Sequence, residues 1–171
     1  MIPAWPTLED FLHWFLRQPM RGWHSSALYD YGPVRSLVVY RHGSYQVELF
    51  TIVANAGFPE EHRHPDVESY EVHMCGQIQL TLNGVLSCPT RLRLPHGRRQ
   101  YVTHIRETDW HGAAPLPTGG AFVSVQRWLH DVPPTSVGLN WEGKPVSVQQ
   151  QELLASSTSA VGAGGLGDGT R

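Results

Sequence analysis

Residues 34–54, VRSLVVYRHGSYQVELFTIVA, decide the fold of this chain. Apolar and polar side chains alternate on both sides of His42-Gly43-Ser44, which predicts two strands joined by a tight turn. Residues 77–86, QIQLTLNGVL, alternate in the same way and contain Asn83-Gly84, the strongest short signal for a hairpin. Residues 100–105 and 120–129 predict two further strands. The chain is therefore predicted to be mainly β, an antiparallel jelly roll or small barrel.

One helix is predicted before these strands, over residues 7–17. Five apolar side chains recur at helical spacing and form one face: Leu8, Phe11, Leu12, Phe15 and Leu16. Thr7 is the expected N-cap, acidic residues follow in the first turn, and Pro19 lies just past the end. This pattern is typical of an amphipathic helix that packs on the body of a domain.

The 171 residues suit one domain, which we divide into three segments. Residues 1–32 form an N-terminal helical segment, residues 33–145 the β-barrel, and residues 146–171 a C-terminal arm. Within the arm, QQQELLASS (149–157) is compatible with a short helix. The Gly- and Ser-rich residues 157–171 have too little apolar side-chain area to build a core, so an extended tail is expected.

Composition argues against several functional classes. The formal net charge of −2 gives no electrostatic reason to expect nucleic acid or an anionic membrane as a partner. No apolar run approaches the roughly 20 residues that span a bilayer, and the first residues lack the pattern of a signal peptide. Cys75 and Cys88 are too far apart in the predicted hairpin for a disulfide, which favours a reducing compartment such as the cytoplasm.

The stretch EEHRHPDVESYEVHMCG, residues 60–76, combines imidazoles, carboxylates and a thiol. His62 and His64, two positions apart, project to the same side of a strand. Farther along the strand, every second side chain is apolar except the first, Glu68, and this side is predicted to face the barrel interior. Its residues are Glu68, Tyr70, Val72 and Met74. Glu68 would then lie near the two histidines. Imidazole and carboxylate on a rigid sheet are suitable ligands for a divalent transition metal.

Residues 57–76 resemble the first motif of the cupins, written G-x5-H-x-H-x3,4-E-x6-G. The matching positions are Gly57, His62, His64, Glu68 and Gly76. One residue is missing before His62 and one is extra after Glu68, so Glu71 is the alternative carboxylate. The second cupin motif resembles IRETDWHGAA, residues 105–114, which supplies His111, with His104 as the alternative. The resemblance implies a jelly roll with Fe(II), Mn(II), Ni(II) or Zn(II) held by His62, His64, Glu68 and His111.

Two features outside the motifs have more than one interpretation. Four arginines, Arg91, Arg93, Arg98 and Arg99, are predicted in one short loop. They would either bind an anion or an acidic partner, or simply keep a solvated loop or strand edge from aggregating. Among the tryptophans, Trp14 and Trp128 are expected in the core, and Trp5 and Trp141 either in the core or at an interface.

Two functions follow. The first is a non-enzymatic structural or accessory protein of a larger assembly, in which the arm docks on other protein subunits. The chain resembles small cupin-like proteins encoded among phage structural genes, which implies a place in the virion after synthesis in the cytoplasm. The second is a metal-dependent cupin enzyme of the dioxygenase or isomerase type, with Tyr70 as an acid/base group. The sequence presents no second set of inward polar groups to orient a substrate, which favours the first function.

Overall fold

The computed structural model describes residues 5–18, 27–30, 33–55, 61–76, 78–94, 97–113, 117–129, 136–139, 145–148 and 152–153. One helix, α1 (Leu8–Phe15), precedes the strands. The strands are β1 (Ala27–Asp30), β2 (Val34–His42), β3 (Tyr45–Ile52), β4 (His62–Arg63), β5 (Val67–Gly76), β6 (Leu80–Leu82), β7 (Val85–Leu86), β8 (Thr90–Arg93), β9 (Arg99–Ile105), β10 (His111–Ala113), β11 (Gly120–Trp128), β12 (Ser136–Leu139), β13 (Pro145–Val148) and β14 (Glu152–Leu153).

These strands form two antiparallel sheets. Sheet A has the order β14-β1-β2-β3-β11-β5-β9-β8, and sheet B has the order β13-β12-β4-β10-β6-β7. The two sheets pack face to face, because Ile78 and Leu80 at the start of β6 join Val34, Ile52 and Phe122 of sheet A in one buried cluster. The mainly β, antiparallel architecture with one N-terminal helix is confirmed. No helix in the described part of the chain is long and apolar enough to span a membrane.

Helix α1 begins where the sequence predicts. The Thr7 hydroxyl accepts a hydrogen bond from the Asp10 backbone N–H at 3.1 Å, and the Asp10 carboxylate accepts one from the Thr7 N–H at 3.2 Å. This reciprocal arrangement satisfies two backbone donors at the helix start. The apolar side of α1 buries Phe11 and Leu12 completely or nearly so, against Val47, Val72, Val123 and Val125 of sheet A.

Sheet A is consequently covered on both sides. We call the side under α1 the outer face and the side toward sheet B the inner face. Because side chains alternate along a strand, Val123 and Val125 of β11 lie on the outer face, while Phe122 and Ser124 lie on the inner face. Helix α1 thus covers the outer face with a hydrophobic layer, whereas the inner face combines the cluster around Phe122 with buried polar side chains such as Ser124.

The predicted turns are confirmed by their backbone conformations. Gly43 has φ +56° between β2 and β3, which pair from Val34↔Ile52 to His42↔Tyr45. Asn83 and Gly84 both have positive φ, +52° and +80°, as a two-residue hairpin of the preferred twist requires. Both described cysteines are free, as predicted.

Three strands at the edges of sheet A lie where none was predicted. Strand β1 belongs to the 1–32 segment yet pairs with β2, and β8 carries Arg91 and Arg93, which were assigned to a loop. Strand β14 lies at Glu152–Leu153, where a short helix was considered, and pairs with β1. Each is an edge or near-edge strand, whose sequence has little of the alternation that buried strands show. The rest of the predicted tail, residues 154–171, lies outside the described residues, as does Trp141.

Two of the tryptophan assignments are confirmed. Trp128 is buried, and Trp14 packs against the core beneath α1. Trp5 is also buried, and its ring contacts those of Phe11 and Trp14 at centroid distances of 4.7 and 4.9 Å. The open choice for Trp5 is thereby decided in favour of the core.

Candidate metal centre

Three histidines converge on the inner side of sheet B. His111 of β10 pairs directly with His62 of β4 and, on its other side, with Leu82 of β6. Leu82 shares a face with Leu80, which packs against sheet A, so both histidines project into the space between the sheets. One nitrogen from each of His62, His64 and His111 lies within 4.8 Å of the other two.

The local fold fixes each histidine from the backbone. A turn after His64 is closed by the hydrogen bond from the Val67 N–H to the His64 carbonyl, at 3.2 Å. The loop before His111 is tied to the β6–β7 hairpin, because Asn83 donates to and accepts from the backbone of Trp110, at 2.7 and 3.0 Å. The hairpin turn that the sequence predicted therefore also positions the third histidine.

The donor set fits a metal ion. Nδ1 of His111 lies 3.3 Å from the carbonyl oxygen of Asp109, which accepts only, so Nδ1 carries the proton and Nε2 keeps its lone pair. Burial, followed by the neighbouring His62 and His64, holds the pKa of His111 well below its usual value. The ring is thus neutral near pH 7, the state that ligates metals. Three nitrogens bound at about 2.0–2.1 Å lie at most about 4.2 Å apart, which is close to the 4.8 Å within which these three nitrogens lie.

Glu68 is not part of this cluster. Its Oε1 lies 2.8 Å from Nε2 of His104, the alternative third ligand, and His104 in turn stacks on Tyr70 at 4.4 Å between ring centroids. All three lie on the outer face of sheet A, together with Val72 under α1. The assignment of this parity to the barrel interior is wrong, and so is the placement of Tyr70 inside the barrel.

The other parity of β5 faces inward and is polar. Glu71 is buried, and its Oε1 accepts hydrogen bonds from Ser69 and Ser124 at 2.7 and 2.8 Å. Its Oε2 is buried without a hydrogen-bond partner. Glu71 is therefore an inward carboxylate, although it does not belong to the three-histidine cluster.

A second carboxylate, Glu48 of β3, lies on the same inner face. It accepts hydrogen bonds from Ser36, Gln46 and Gln126, and Gln126 also donates to Ser124 at 3.2 Å. A continuous hydrogen-bonded network thus connects Glu48 to Glu71. We call this set of buried polar side chains the inner wall: Ser36, Gln46, Glu48, Ser69, Glu71, Ser124 and Gln126.

Burial dominates the ionisation of the inner wall. Burial, with a smaller contribution from the Glu48 charge and against the opposing effect of the Ser69 and Ser124 hydroxyls, raises the pKa of Glu71 to about 7. Burial also raises the pKa of Glu48, while its hydrogen-bond donors lower it. Near neutral pH, Glu71 is consequently poised to hold or release one proton.

The inner wall was missed because the apolar side of β5 was predicted to face the barrel interior. Val72 and Tyr70 alternate with Ser69 and Glu71, which is typical of a strand with one solvated face. The predicted helix contains the signal that would have decided the choice. Its apolar side must cover an apolar face of the sheet, and in β5 that is the face with Tyr70 and Val72. The polar residues Ser69 and Glu71 therefore face the interior.

Comparisons with known proteins reveal structural similarity only. No protein-family model and no curated protein matches the chain. Among solved structures, a cupin-2 domain protein from Rhodospirillum rubrum has a TM-score of 0.50 at 13% identity, covering 74% of this chain and 82% of that one. KdgF from Halomonas sp. has a TM-score of 0.48 at 14% identity, covering 61% and 89%.

A cupin 2 conserved barrel domain protein from Rhodopseudomonas palustris is similar at a TM-score of 0.48 and 16% identity, covering 71% of this chain and 81% of that one. At such identities, structural similarity shows the fold and not the activity. The two sheets, the covering helix and the similarity to the Rhodospirillum rubrum domain lead to one conclusion. The chain has a cupin fold.

Proposed function

We propose that this cupin holds one divalent transition-metal ion with His62, His64 and His111 and acts as an enzyme on a small molecule between its sheets. The convergence of three imidazole nitrogens within 4.8 Å carries this proposal. Imidazole ligands suit Fe(II), Mn(II), Ni(II) and Zn(II). Glu68 is not proposed as a ligand, because it is hydrogen-bonded to His104 on the outer face.

The chemistry follows from what each side chain can do. Three imidazole ligands leave coordination positions open, and a bound ion would supply Lewis-acid activation of a substrate oxygen there. His111 is kept in one tautomer by the Asp109 carbonyl. Glu71, with its pKa raised to about 7 and one oxygen unpaired, is suited to hold a proton during the reaction.

The polar side chains of the inner wall favour an enzymatic function over a non-enzymatic one. The sequence offered an argument against catalysis, namely that no second set of inward polar groups was available to orient a substrate. Glu48 and Glu71 lie on the inner face of sheet A, connected through Gln126 and Ser124. That argument therefore no longer holds. The reaction type, dioxygenase or isomerase, stays a prediction.

The competing function is a non-enzymatic component of a larger assembly, such as a phage particle. It rests mainly on the C-terminal tail, and residues 154–171 lie outside the described residues. Docking of that tail on other protein subunits, and a place in the virion, both stay predictions. Metal binding is compatible with either function, so occupancy alone does not separate them.

Metal occupancy is the first test. We expect protein purified without chelator to carry close to one transition-metal ion per chain by elemental analysis. His62→Ala and His111→Ala should lose most of it, because each removes one of three ligands. Glu68→Gln and His104→Ala are matched controls that alter an imidazole–carboxylate pair on the opposite face and should keep the metal. Equal metal loss in all four variants would contradict the assignment.

Turnover is the second test. The wild-type protein is incubated with a mixture of small oxygen-containing metabolites, and products are followed by mass spectrometry. An enzyme should lose conversion on His62→Ala and keep it when residues 155–171 are removed. An assembly component should show no metal-dependent conversion, and the truncation should weaken its incorporation into particles. The contrast between the two variants separates the functions, because both contain the same barrel.

A further inference from the structure

Strand β8 lies at the edge of sheet A and forms an antiparallel hairpin with β9. Arg93 lies opposite Arg99, and Arg91 lies opposite Tyr101. These four side chains share one face of the β8–β9 hairpin, since residues opposite each other in a pair lie on the same side. All are exposed, Tyr101 at 51%. We call this set the arginine face.

Among the described residues, no strand pairs with the outer edge of β8 at these positions. The Leu94 N–H donates to the Arg98 carbonyl at 2.8 Å, so Leu94 and Arg98 form a hydrogen-bonded pair. Hydrogen-bonded and non-bonded pairs alternate along an antiparallel ladder. Arg93 and Arg91 therefore belong to non-bonded pairs, and their N–H and C=O groups point away from β9 toward the open edge.

The charges on the arginine face are uncompensated. None of its three arginines has a carboxylate within 4.0 Å among the described residues, whose ion pairs lie elsewhere. Arg93 and Arg99 occupy a non-bonded pair, in which side chains come closest, and like charges directly opposite destabilise a sheet. A partner that brings negative charge would relieve this repulsion.

We propose that β8 binds an extended acidic segment of another protein, which adds to sheet A as a further strand. The added strand would satisfy the outward N–H and C=O groups of Arg91 and Arg93. Its side chains alternate with a period of two, so carboxylates at every second position would face the arginines. None of its residues belongs to the three-histidine cluster, and the inference does not depend on the proposed function.

The spacing favours a peptide strand over other polyanions. Arg91 and Arg93 are two positions apart on β8, which matches the repeat of an adjacent strand. A nucleic acid or a polyphosphate would neutralise the guanidinium groups but would leave the outward backbone groups of the edge without a peptide partner. The net charge of −2 makes the positive patch a local feature and not a general affinity for anions.

Binding is tested with two fluorescent peptides of about ten residues and identical composition. In one, glutamate alternates with threonine; in the other, the glutamates form one block. We expect the alternating peptide to bind at least about tenfold more tightly by fluorescence anisotropy. Amide hydrogen exchange at Arg91 and Arg93 should slow when it binds, because their N–H groups become hydrogen-bonded.

Two charge-reversal variants compare the two faces of the β8–β9 hairpin. Arg93→Glu should weaken binding of the alternating peptide by about tenfold or more. Arg98→Glu makes the same charge change on the opposite face, opposite Leu94, and should change binding less than about threefold. N-methylation of the peptide at positions that face β8 should abolish binding while its charge is kept.

Four results would overturn the proposal. One is equal affinity for the alternating and blocked peptides. Another is equal weakening by Arg93→Glu and Arg98→Glu. The third is tighter binding of a single-stranded oligonucleotide or polyphosphate with no protection of the Arg91 and Arg93 amides. The fourth is no measurable binding of either peptide to wild type or to Arg93→Glu, which is the result expected if the arginine face serves only to prevent aggregation.

Discussion

His111 of β10 lies directly opposite His62 of β4, with 4.4 Å between the ring centroids. The register between these two strands consists of this one pair, so little else joins them in the ladder. An ion bound by both rings would therefore cross-link two strands of sheet B. The candidate centre has a structural consequence as well as a chemical one.

We expect metal ions to raise the thermal stability of the wild-type protein. At a free ion concentration 100 times the dissociation constant, one site that exists only in the folded state contributes about 2.7 kcal/mol. His111→Ala should abolish this gain, since it removes one ligand and the cross-link. Thermal unfolding with Zn(II) or Mn(II), before and after chelation, measures it. The same metal-induced rise in wild type and His111→Ala would place the ion elsewhere.

Glu71→Gln should change how stability depends on pH. The pKa of Glu71 rises from 4.5 to about 7 on folding, so the folded state holds the proton more tightly than the unfolded state. Its contribution is fully present below pH 4.5 and is lost as the pH rises through about 7. At 1.36 kcal/mol per pKa unit, the loss is on the order of 3 kcal/mol.

Glutamine keeps the shape of Glu71 and has no proton to lose in this range. The difference in unfolding free energy between Glu71→Gln and wild type should therefore grow in favour of the variant from pH 4.5 to pH 7.5. Denaturant titrations across this range provide the curves. A constant offset between Glu71→Gln and wild type across this range would contradict a raised pKa of Glu71.

Disrupting the outer pair of Glu68 and His104 should have a small effect. Both side chains are close to one-third exposed, at 27% and 32%, so solvent screens their interaction. We expect Glu68→Gln to lower the free energy of unfolding by no more than about 1 kcal/mol. Chemical denaturation measures the change. A loss of several kcal/mol would mean that this pair is far better shielded than its exposure indicates.

Gly76 ends β5 at a place where no side chain fits. Its φ is +76°, and a Cβ there would lie 2.3 Å from the backbone oxygen of Gly119. Because a backbone atom cannot rotate away, Gly76→Ala should destabilise the protein by about 3 kcal/mol or more. Gly43 has a similar φ, +56°, but open space around its Cα.

Gly43→Ala is thus the control for backbone strain alone and should cost about 1 kcal/mol. Urea unfolding of the two variants separates the steric clash from the unfavourable φ. Comparable losses for both would show that the contact between Gly76 and Gly119 relaxes at little cost.

The periodicity of the sequence was sufficient to predict the long strands, the helix and the hairpin turn. Strand β2 buries Val34, Ser36 and Val38 at every second position, and α1 buries Leu8, Phe11, Leu12 and Phe15 at helical spacing. His62 and His64 could be assigned to one face by strand parity. His111 came only from the resemblance to a motif, because no local pattern connects β10 to β4.

The position of the carboxylate could not be predicted from one strand. An alternating strand shows that its two faces differ, but not which of them lies inside. In β5 that choice depends on α1, about sixty residues earlier in the chain, which covers the apolar face and leaves Glu71 inside. The strands at the edges of sheet A were missed for a different reason: the sequences of β1, β8 and β14 show little alternation, and each pairs with a neighbouring strand.

Strand β11 lies between β3 and β5 at the centre of sheet A, although it follows both of them late in the chain. Val125 pairs with Val47 on one side and Tyr70 on the other, so these central ladders are closed by contacts between distant residues. Such a topology folds slowly, because long loops must close before their contacts contribute. During synthesis, β3 and β5 emerge from the ribosome with open edges and must wait for β11. We therefore expect the incomplete chain to be prone to aggregation until Trp128 has been made.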